Sequence, residues 1–192
     1  MYKYLIIAIL IMAAASFGTY KALAQKTPSE KVSAEGKVLI VYYSYSGNTK
    51  KVAQAIQDKI GGDMFEIKTE GTYPENYNEM VQQAKEEITN NYRPALTTKL
   101  ENLAQYDVVF IGTPNWWSTI TPQLSSFLQA YDLSGKTVIP FITHGGGGVQ
   151  NTVSDLTAQC KGCKVSDAPW VGYNDRTMGI ADWLKGLGFD VK

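Results

Sequence analysis

The stretch KVLIVYYSYSGNTKKVAQAI (37–56) joins a strand pattern to a helix pattern through a short polar turn. Its first part, KVLIVYY (37–43), is a continuous apolar run, which is typical of a strand buried on both faces. Its last part repeats apolar residues at helical spacing and leads to a Gly-Gly stop. A buried strand, a turn and a helix in this order form the opening unit of a parallel sheet covered by helices.

Strand and helix patterns alternate along the rest of the chain without an internal repeat. This predicts an α/β fold with a doubly wound, five-stranded parallel sheet between two helical layers, in the strand order 2-1-3-4-5. In such a sheet, ligands bind outside the carboxyl ends of the strands at the switch point. Further strands are predicted at 64–69, 107–113, 136–143 and 163–171, and helices at 50–60, 75–90, 121–130, 149–158 and 178–187.

The N-terminal part has the pattern of a secretory signal peptide. Residues 1–24 carry an early lysine, an apolar stretch too short to span a membrane comfortably, and Ala-Leu-Ala before Gln25. The alternative is an uncleaved membrane anchor. Residues 25–36 are polar and predict a flexible leader, which leaves 37–192 as the folded domain. The sequence therefore predicts an exported protein, periplasmic or secreted.

Composition limits the partners of the chain. It has 192 residues, of which 44% are hydrophobic, enough for one well-filled core. Removal of Lys3 and Lys21 with the signal leaves 16 of the 18 basic side chains against 18 acidic ones, a net charge of −2. Without a basic stripe or a charge block, nucleic acid is not an expected partner, nor is a membrane after signal cleavage.

The turn SYSGNT (44–49) has the composition of a phosphate-binding loop. It opens the first helix, where unpaired backbone N–H groups and the helix dipole favour an anion, and its side chains add neutral donors. It matches neither G-x-x-x-x-G-K-[ST] nor G-x-G-x-x-G, which disfavours nucleoside-triphosphate and dinucleotide sites. Because a helix-capping turn has the same composition, the loop alone leaves both interpretations open. The candidate residues are Ser44, Tyr45, Ser46, Gly47, Asn48 and Thr49.

Two further strand ends carry unusual segments. GTPNWWST (112–119) contains adjacent tryptophans, which point opposite ways on an extended segment, so that one can enter the core and the other can form an aromatic wall. THGGGGVQ (143–150) places four glycines, which have no side chains, after the next strand. This fits either a flexible turn or a backbone surface against which a planar group can lie. Aromatic residues without an assigned contact near predicted loop ends are Tyr73, Tyr77, Trp170 and Tyr173.

A phosphate loop, an aromatic wall and a bare rim on three strand ends indicate one ligand shape. The ligand has a phosphate at one end and a flat heteroaromatic ring at the other. Flavin mononucleotide (FMN) fits this description best.

The same segments resemble a known family. SYSGNT is similar to the flavodoxin phosphate loop, S/T-x-S/T-G-N-T, and residues 112–156 resemble bacterial flavodoxin-like proteins with PxWWG and THGGSG segments. The resemblance covers about 37–192 and implies a flavodoxin-like fold with non-covalent FMN. It implies that the phosphate lies on the 44–49 loop. The flavin and ribityl contacts that it implies are Pro114, Asn115, Trp116 and Trp117, with Thr143, His144, Gly145 and Gly146 as the far rim.

Two positions depart from that family pattern. Ser118 stands where relatives often have glycine beside the flavin, so a peptide flip on flavin reduction does not follow from the resemblance. Gly147 replaces the serine of THGGSG and removes a hydroxyl. His144, the only histidine, is expected to pack or hydrogen-bond at the flavin edge rather than to transfer protons.

Cys160 and Cys163 form a C-x-x-C pair at the end of a predicted helix. A thiol activated by the helix dipole would need a helix N-terminus, so a structural disulfide is favoured over a redox-catalytic pair. A zinc site would need two more ligands, and the sequence has no second cysteine pair. No metal site is predicted.

The leading functional hypothesis is an exported FMN-binding protein that carries out electron transfer with a redox partner protein or a small oxidant. The alternative is an FMN-dependent NAD(P)H:quinone or nitro-compound reductase. A third hypothesis is a ligand-binding module of the same fold without redox function.

Overall fold

The computed structural model describes residues 36–192. The predicted signal peptide and all but the last residue of the predicted leader lie outside the described residues. The strands are β1 (Lys37–Tyr42), β2 (Asp63–Glu66), β3 (Tyr106–Pro114), β4 (Thr137–His144), β5 (Lys164–Val165) and β6 (Trp170–Tyr173). The helices are α1 (Asn48–Ile60), α2 (Tyr77–Thr89), α3 (Pro122–Ala130), α4 (Thr152–Gln159) and α5 (Ile180–Gly186), with a short 3₁₀ helix at Leu103–Gln105.

The sheet confirms the predicted α/β fold and strand order. Its path is β2-β1-β3-β4-β5, and every described pair of strands is parallel. The register aligns Tyr42 with Gly112 and Pro114 with Thr143. The carboxyl ends of β1, β3 and β4 therefore lie side by side, at the point where the strand order reverses.

The prediction of one continuous fifth strand at 163–171 is wrong. The structure has two short strands there, β5 and β6, and both pair with β4. Between them, Pro169 has no N–H to donate to the ladder, and the Ala168 N–H bonds to the Ser166 hydroxyl at 3.2 Å instead. The chain therefore leaves the sheet and rejoins it farther along β4.

Alternate residues of β1 enter the cores on the two faces of the sheet. Leu39 and Val41 pack on one face, with Leu124 and Phe127 of α3. Ile40 and Tyr42 pack on the opposite face, beneath α1 and α5. The two helical layers of the predicted three-layer arrangement are thus both present.

The N-terminal capping of the helices differs. Thr121 caps α3 by accepting the Leu124 N–H, and Asn76 caps α2 by accepting two N–H groups. By contrast, α1 begins after Gly47, at φ 86°, and no side chain caps it. The first turn of α1 is therefore available to a ligand. Within residues 36–192, no helix combines the length and apolar character needed to cross a bilayer.

Candidate functional site

A crevice of about 300 Å³ lies at the carboxyl ends of β1, β3 and β4. Asn48 lines it from the start of α1, residues 114–117 from the end of β3, and residues 143–145 from the end of β4. The three segments singled out in the sequence therefore meet at one place. Helix α2 forms the fourth wall.

The 44–49 loop presents backbone donors that the protein itself leaves free. Among the described residues, the N–H groups of residues 44–50 have no hydrogen-bond acceptor, whereas the preceding N–H of Tyr43 bonds to Gly112 O at 3.1 Å. The Ser44 hydroxyl is buried and also has no partner. Buried polar groups are rarely left unsatisfied, so this loop fits a ligand with several acceptor oxygens, such as a phosphate monoester.

The two lysines that follow this loop are both paired with carboxylates. The Lys50 ammonium lies 3.5 Å from Glu66, and the Lys51 ammonium lies 2.6 Å from Asp175. Both lysines on the first turn of α1 thus have carboxylate partners. Neutral hydrogen bonds and the helix N-terminus remain to hold an anion.

Thr49 and Thr143 link the loop to the rim. Their hydroxyl oxygens lie 2.8 Å apart, and the two residues are 1% and 2% exposed. One hydroxyl donates to the other, which leaves a single hydroxyl proton of the pair available for another acceptor. The sequence predicted both residues at the site but not their contact with each other.

Trp116 is held by three tyrosines. Its ring makes edge contacts with Tyr73, Tyr43 and Tyr45, at centroid distances of 5.1, 5.8 and 6.1 Å. Such contacts between aromatic rings add to the stability of their burial. Trp116 is therefore fixed on the side of the 44–49 loop, half-buried, where it lines the crevice.

Tyr73 is fixed in turn by a polar cluster. Its hydroxyl donates to Glu87 of α2 and accepts the Gln123 amide N–H at 3.0 Å. Gln83 donates to the other oxygen of Glu87 at 2.8 Å. Burial above all raises the pKa of Tyr73 well above its usual value, and the Glu87 hydrogen bond raises it further. Tyr73 therefore stays protonated as a donor.

Trp117 lies on the other side of the crevice and is 48% exposed. Its indole N–H donates to Val81 O of α2 at 3.0 Å, and the Lys85 ammonium lies 4.8 Å from the ring centroid. Trp117 thus bridges the β3 loop and α2, as expected for an adjacent tryptophan that points away from Trp116.

The two tryptophans begin a tight turn with an unusual backbone. Trp116 and Thr119 exchange backbone hydrogen bonds of 3.1 and 3.0 Å, and the two central residues, Trp117 and Ser118, have φ of 50° and 73°. Left-handed residues at both central positions are typical of a type I′ turn, which favours Asn-Gly. Ser118 therefore occupies a backbone position that glycine would adopt more easily.

Asn115 carries an acceptor without a partner. Its side-chain N–H₂ donates to Gly148 O at 2.7 Å, which fixes the orientation of the amide because a carbonyl can only accept. Its Oδ1 is buried and has no hydrogen bond to any described residue. The site therefore offers one oriented acceptor to a ligand N–H or O–H group.

The glycines of 145–148 form a rim without side chains. An added Cβ at Gly145 or Gly146 would contact nothing within 4 Å, so their backbone faces open space. The His144 Nδ1 accepts the Gly146 N–H at 3.0 Å, and its ring lies against Tyr173 at 5.9 Å. His144 thus packs and hydrogen-bonds within the rim itself, and its contact with a flavin stays a prediction.

The sequence did not identify the wall formed by α2. Tyr77, Met80, Val81 and Ala84 line the crevice, and Asn174 after β6 completes it. Their helical spacing gives α2 one apolar face, and none of these residues was predicted from the sequence to lie at the ligand site. An apolar face of a helix looks the same in sequence whether it covers a core or lines a crevice.

The cysteine pair is remote from the crevice. Cys160 and Cys163 form a disulfide, which confirms the predicted pairing. They follow α4 and precede β5, whose residue Lys164 pairs with Thr137 at the amino end of β4. The disulfide therefore lies near the amino-terminal ends of the strands, whereas the site lies at their carboxyl ends.

The profile of the family described as Flavodoxin matches residues 37–187. The chain belongs to the flavodoxin family. Its polar loop, tryptophan turn and glycine rim occupy the carboxyl edge of a flavodoxin sheet, and the predicted family is confirmed.

Solved structures agree with this assignment. A protein from Bacteroides eggerthii DSM 20697, classed as a flavoprotein, is 30% identical with a TM-score of 0.70, over 80% of this chain and 99% of that one. A flavoprotein from Lactobacillus acidophilus NCFM, solved in complex with FMN, is 26% identical with a TM-score of 0.64, over 77% of this chain and 98% of that one.

A curated relative has a named activity. The NAD(P)H dehydrogenase (quinone) of Rhodopseudomonas palustris BisB18 is 32% identical over 128 residues, which cover 64% of this flavodoxin chain and 60% of that protein. A relative of the same name from Cupriavidus metallidurans CH34 is matched over 45% of its length. The chain thus spans about half the length of the curated relatives that it matches.

Proposed function

We propose that this protein binds one FMN non-covalently in the crevice and transfers electrons through it. The observation that carries the proposal is the set of unpartnered donors at residues 44–50, next to a crevice bounded by two tryptophans and a glycine rim. The FMN complex of the structural relative from Lactobacillus acidophilus supports it. The bound flavin would supply the redox chemistry, and the protein supplies binding and orientation.

The residues present fit the phosphate end of FMN. The free N–H groups of residues 44–50 and the buried Ser44 hydroxyl would satisfy phosphate oxygens without a salt bridge. The Thr49–Thr143 pair keeps one hydroxyl proton available beside them. Because the cradle is neutral, the phosphate is held by hydrogen bonds and by the positive end of α1.

The residues present also fit a planar ring. Trp117 and Met80 offer apolar surface on the α2 side, and the glycine rim allows close approach of the backbone on the β4 side. The unpaired Oδ1 of Asn115 would accept from a ring N–H or a ribityl hydroxyl. Trp116, held by its three tyrosines, keeps the loop in place during turnover.

A reductase is the second candidate function, because both curated relatives are named NAD(P)H dehydrogenase (quinone). In this case the exposed mouth of the crevice, near Tyr77 and Trp117, would admit the nicotinamide and then the quinone in turn. In the electron-carrier case, the same exposed rings would face a protein partner.

The decisive experiment is an anaerobic titration of the purified protein. We expect flavin absorbance at one FMN per chain after reconstitution, and a colourless protein that binds no FMN would contradict the proposal. Bleaching by NAD(P)H alone would identify a reductase. Bleaching only by dithionite or through a reductase partner would identify a carrier.

Substitutions test the loop. Ser46→Ala and Thr49→Ala should each weaken FMN binding by about 1–3 kcal/mol, the cost of an unsatisfied charged acceptor. Thr157→Ala, on the exposed face of α4, is the matched control and should leave the affinity unchanged. Wild-type affinity in both loop variants would remove the phosphate assignment.

We further propose that the protein is exported after removal of residues 1–24. The pattern of charge, apolar stretch and Ala-Leu-Ala supports this. The mass of the protein recovered from the native host should correspond to a chain that begins at Gln25. An intact chain in the cytoplasmic fraction would contradict export but not FMN binding.

A further inference from the structure

We propose that a second cavity, near the amino-terminal ends of the strands, binds a small carboxylate with a flat apolar body. This cavity, the α3–α4 cavity, has a volume of about 580 Å³ and lies between the C-terminal ends of α3 and α4 and the segment that follows α2. Both helices end near the amino ends of the strands, since α3 leads into β4 and α4 into β5. The cavity is therefore separate from the proposed FMN site.

One wall of the α3–α4 cavity is apolar and firmly held. Leu128 and Leu133 are 8% and 2% exposed and belong to the core. The Tyr131 ring lies 4.8 Å from that of Phe127, and its hydroxyl accepts the Leu100 N–H at 2.8 Å, which fixes the ring from both ends. A rigid wall of this kind gives a flat ligand a preformed surface.

The disulfide borders the same cavity. Cys160 lines it and is 6% exposed, and its bond to Cys163 closes the turn after α4. A closed turn reduces the freedom of this side of the cavity in the folded protein, so the opening keeps its shape without a ligand.

Arg93 gives the cavity its charge. No carboxylate lies within 4.0 Å of its guanidinium in the described chain, and its two contacts are neutral, Tyr92 O at 3.0 Å and Gln159 Oε1 at 3.5 Å. Partial burial lowers the pKa of Arg93, because burial disfavours the charged form. A carboxylate would pair with the planar guanidinium through two hydrogen bonds.

The one carboxylate that lines the cavity is engaged elsewhere. Asp132 Oδ1 accepts the Ser134 N–H at 2.9 Å and the Ser134 hydroxyl at 2.6 Å. These bonds hold the pKa of Asp132 below its usual value. With Arg93 and Lys161 also lining the cavity, the balance of charge there is positive. This favours an anionic ligand over a cationic one.

Ser125 adds a polar contact inside the cavity. The residue is 4% exposed, and its hydroxyl has no hydrogen-bond partner in the part of the chain that the structure describes. A ligand with its carboxylate at Arg93 and its flat body on Tyr131 and Leu128 would therefore also meet one neutral hydroxyl.

The test uses 2-naphthoate as the probe, with 2-naphthamide as its neutral counterpart. Saturating FMN is present, so that neither naphthoate nor naphthamide can bind in the crevice. Amide chemical shifts in NMR should move at Ser125, Tyr131 and Lys161, and not at Trp117 or His144. Naphthamide should bind about tenfold more weakly or worse, because it cannot form the charged pair with Arg93.

The chain offers a matched pair of variants, because Arg93 and Arg176 are its only arginines. Arg93→Gln should weaken naphthoate binding about tenfold or more. Arg176 lies beside Tyr173, near the carboxyl ends of the strands, so Arg176→Gln should leave the affinity within about twofold. Equal binding of acid and amide by the wild-type protein would overturn the proposal without any variant. Shifts confined to crevice residues, no binding at millimolar naphthoate, or unchanged affinity in Arg93→Gln would overturn it as well. None of these outcomes bears on FMN binding, which the flavin absorbance reports separately.

Discussion

The hydroxyl oxygens of Thr49 and Thr143 lie 2.8 Å apart in the buried interior of the molecule, although the residues are 94 positions apart in the chain. This hydrogen bond joins the first turn of α1 to the end of β4. The polar loop and the glycine rim are thereby held at a fixed separation before any ligand binds.

The threonine pair should behave as one unit in a double-mutant cycle. Thr49→Val or Thr143→Val alone leaves a buried hydroxyl unpaired and should lower the free energy of unfolding by about 1–3 kcal/mol. The double variant removes both hydroxyls, and its cost should fall clearly below the sum of the two. Urea denaturation of the FMN-free proteins measures all four. Strict additivity would show that the two hydroxyls do not interact.

Ser118→Gly should stabilise the protein. Ser118 has φ 73°, a left-handed conformation that costs a non-glycine residue on the order of 1 kcal/mol. Its carbonyl accepts the Asn151 N–H at 3.1 Å, a backbone contact that glycine preserves. Urea denaturation should show a gain of about 1 kcal/mol. The control Ser154→Gly, within α4, should instead lose about 0.5 kcal/mol. A loss in Ser118→Gly would mean that the serine side chain has a role of its own.

Loss of the disulfide should destabilise the fold without affecting flavin binding. Because the closed loop is short, the chain-entropy model gives a contribution of about 2 kcal/mol. Cys160→Ser with Cys163→Ser should therefore unfold at lower urea with an unchanged FMN affinity. Dithiothreitol should bring the wild-type protein to the same stability and leave the double variant unaffected. A change in FMN affinity would contradict the placement of the disulfide near the amino-terminal ends of the strands.

The free energy of unfolding should fall as the pH rises above about 10, the ordinary pKa of tyrosine. Burial raises the pKa of Tyr42 to about 12 and raises the pKa of Tyr43 and Tyr73 still further. Above pH 10 the unfolded chain then holds fewer protons than the folded one, so higher pH favours unfolding. Tyr73→Phe should reduce this slope. Tyr77→Phe, at a residue 71% exposed, should retain it, and equal slopes in the two variants would contradict the role of burial.

Much of the site could be predicted because its parts are local. The 44–49 loop, the tryptophan pair and the glycine segment each follow a buried apolar strand, and the strand order of a doubly wound sheet brings their ends together. The pattern of strand, polar turn and helix therefore predicted that these segments meet, as they do around the crevice. The C-x-x-C spacing at the end of a helix likewise favoured the disulfide that the structure contains.

Other features depend on segments that are distant in sequence. The pairing of both β5 and β6 with β4 was not predicted, although Pro169 lies within the predicted strand and disfavours a continuous one. The wall formed by α2, the contact of Tyr73 with Glu87, and the α3–α4 cavity around Arg93 arise only where separate helices pack.

The sequence by itself determined the fold class, the strand order and the three loops of the site. Those properties depend on short-range periodicity and on the residues that end each helix or strand. Tertiary structure alone decided which hydroxyls pair, which tryptophan is held and which is exposed, and that Arg93 lines a cavity without a carboxylate partner. These outcomes depend on distances between side chains that the chain brings together only when it folds.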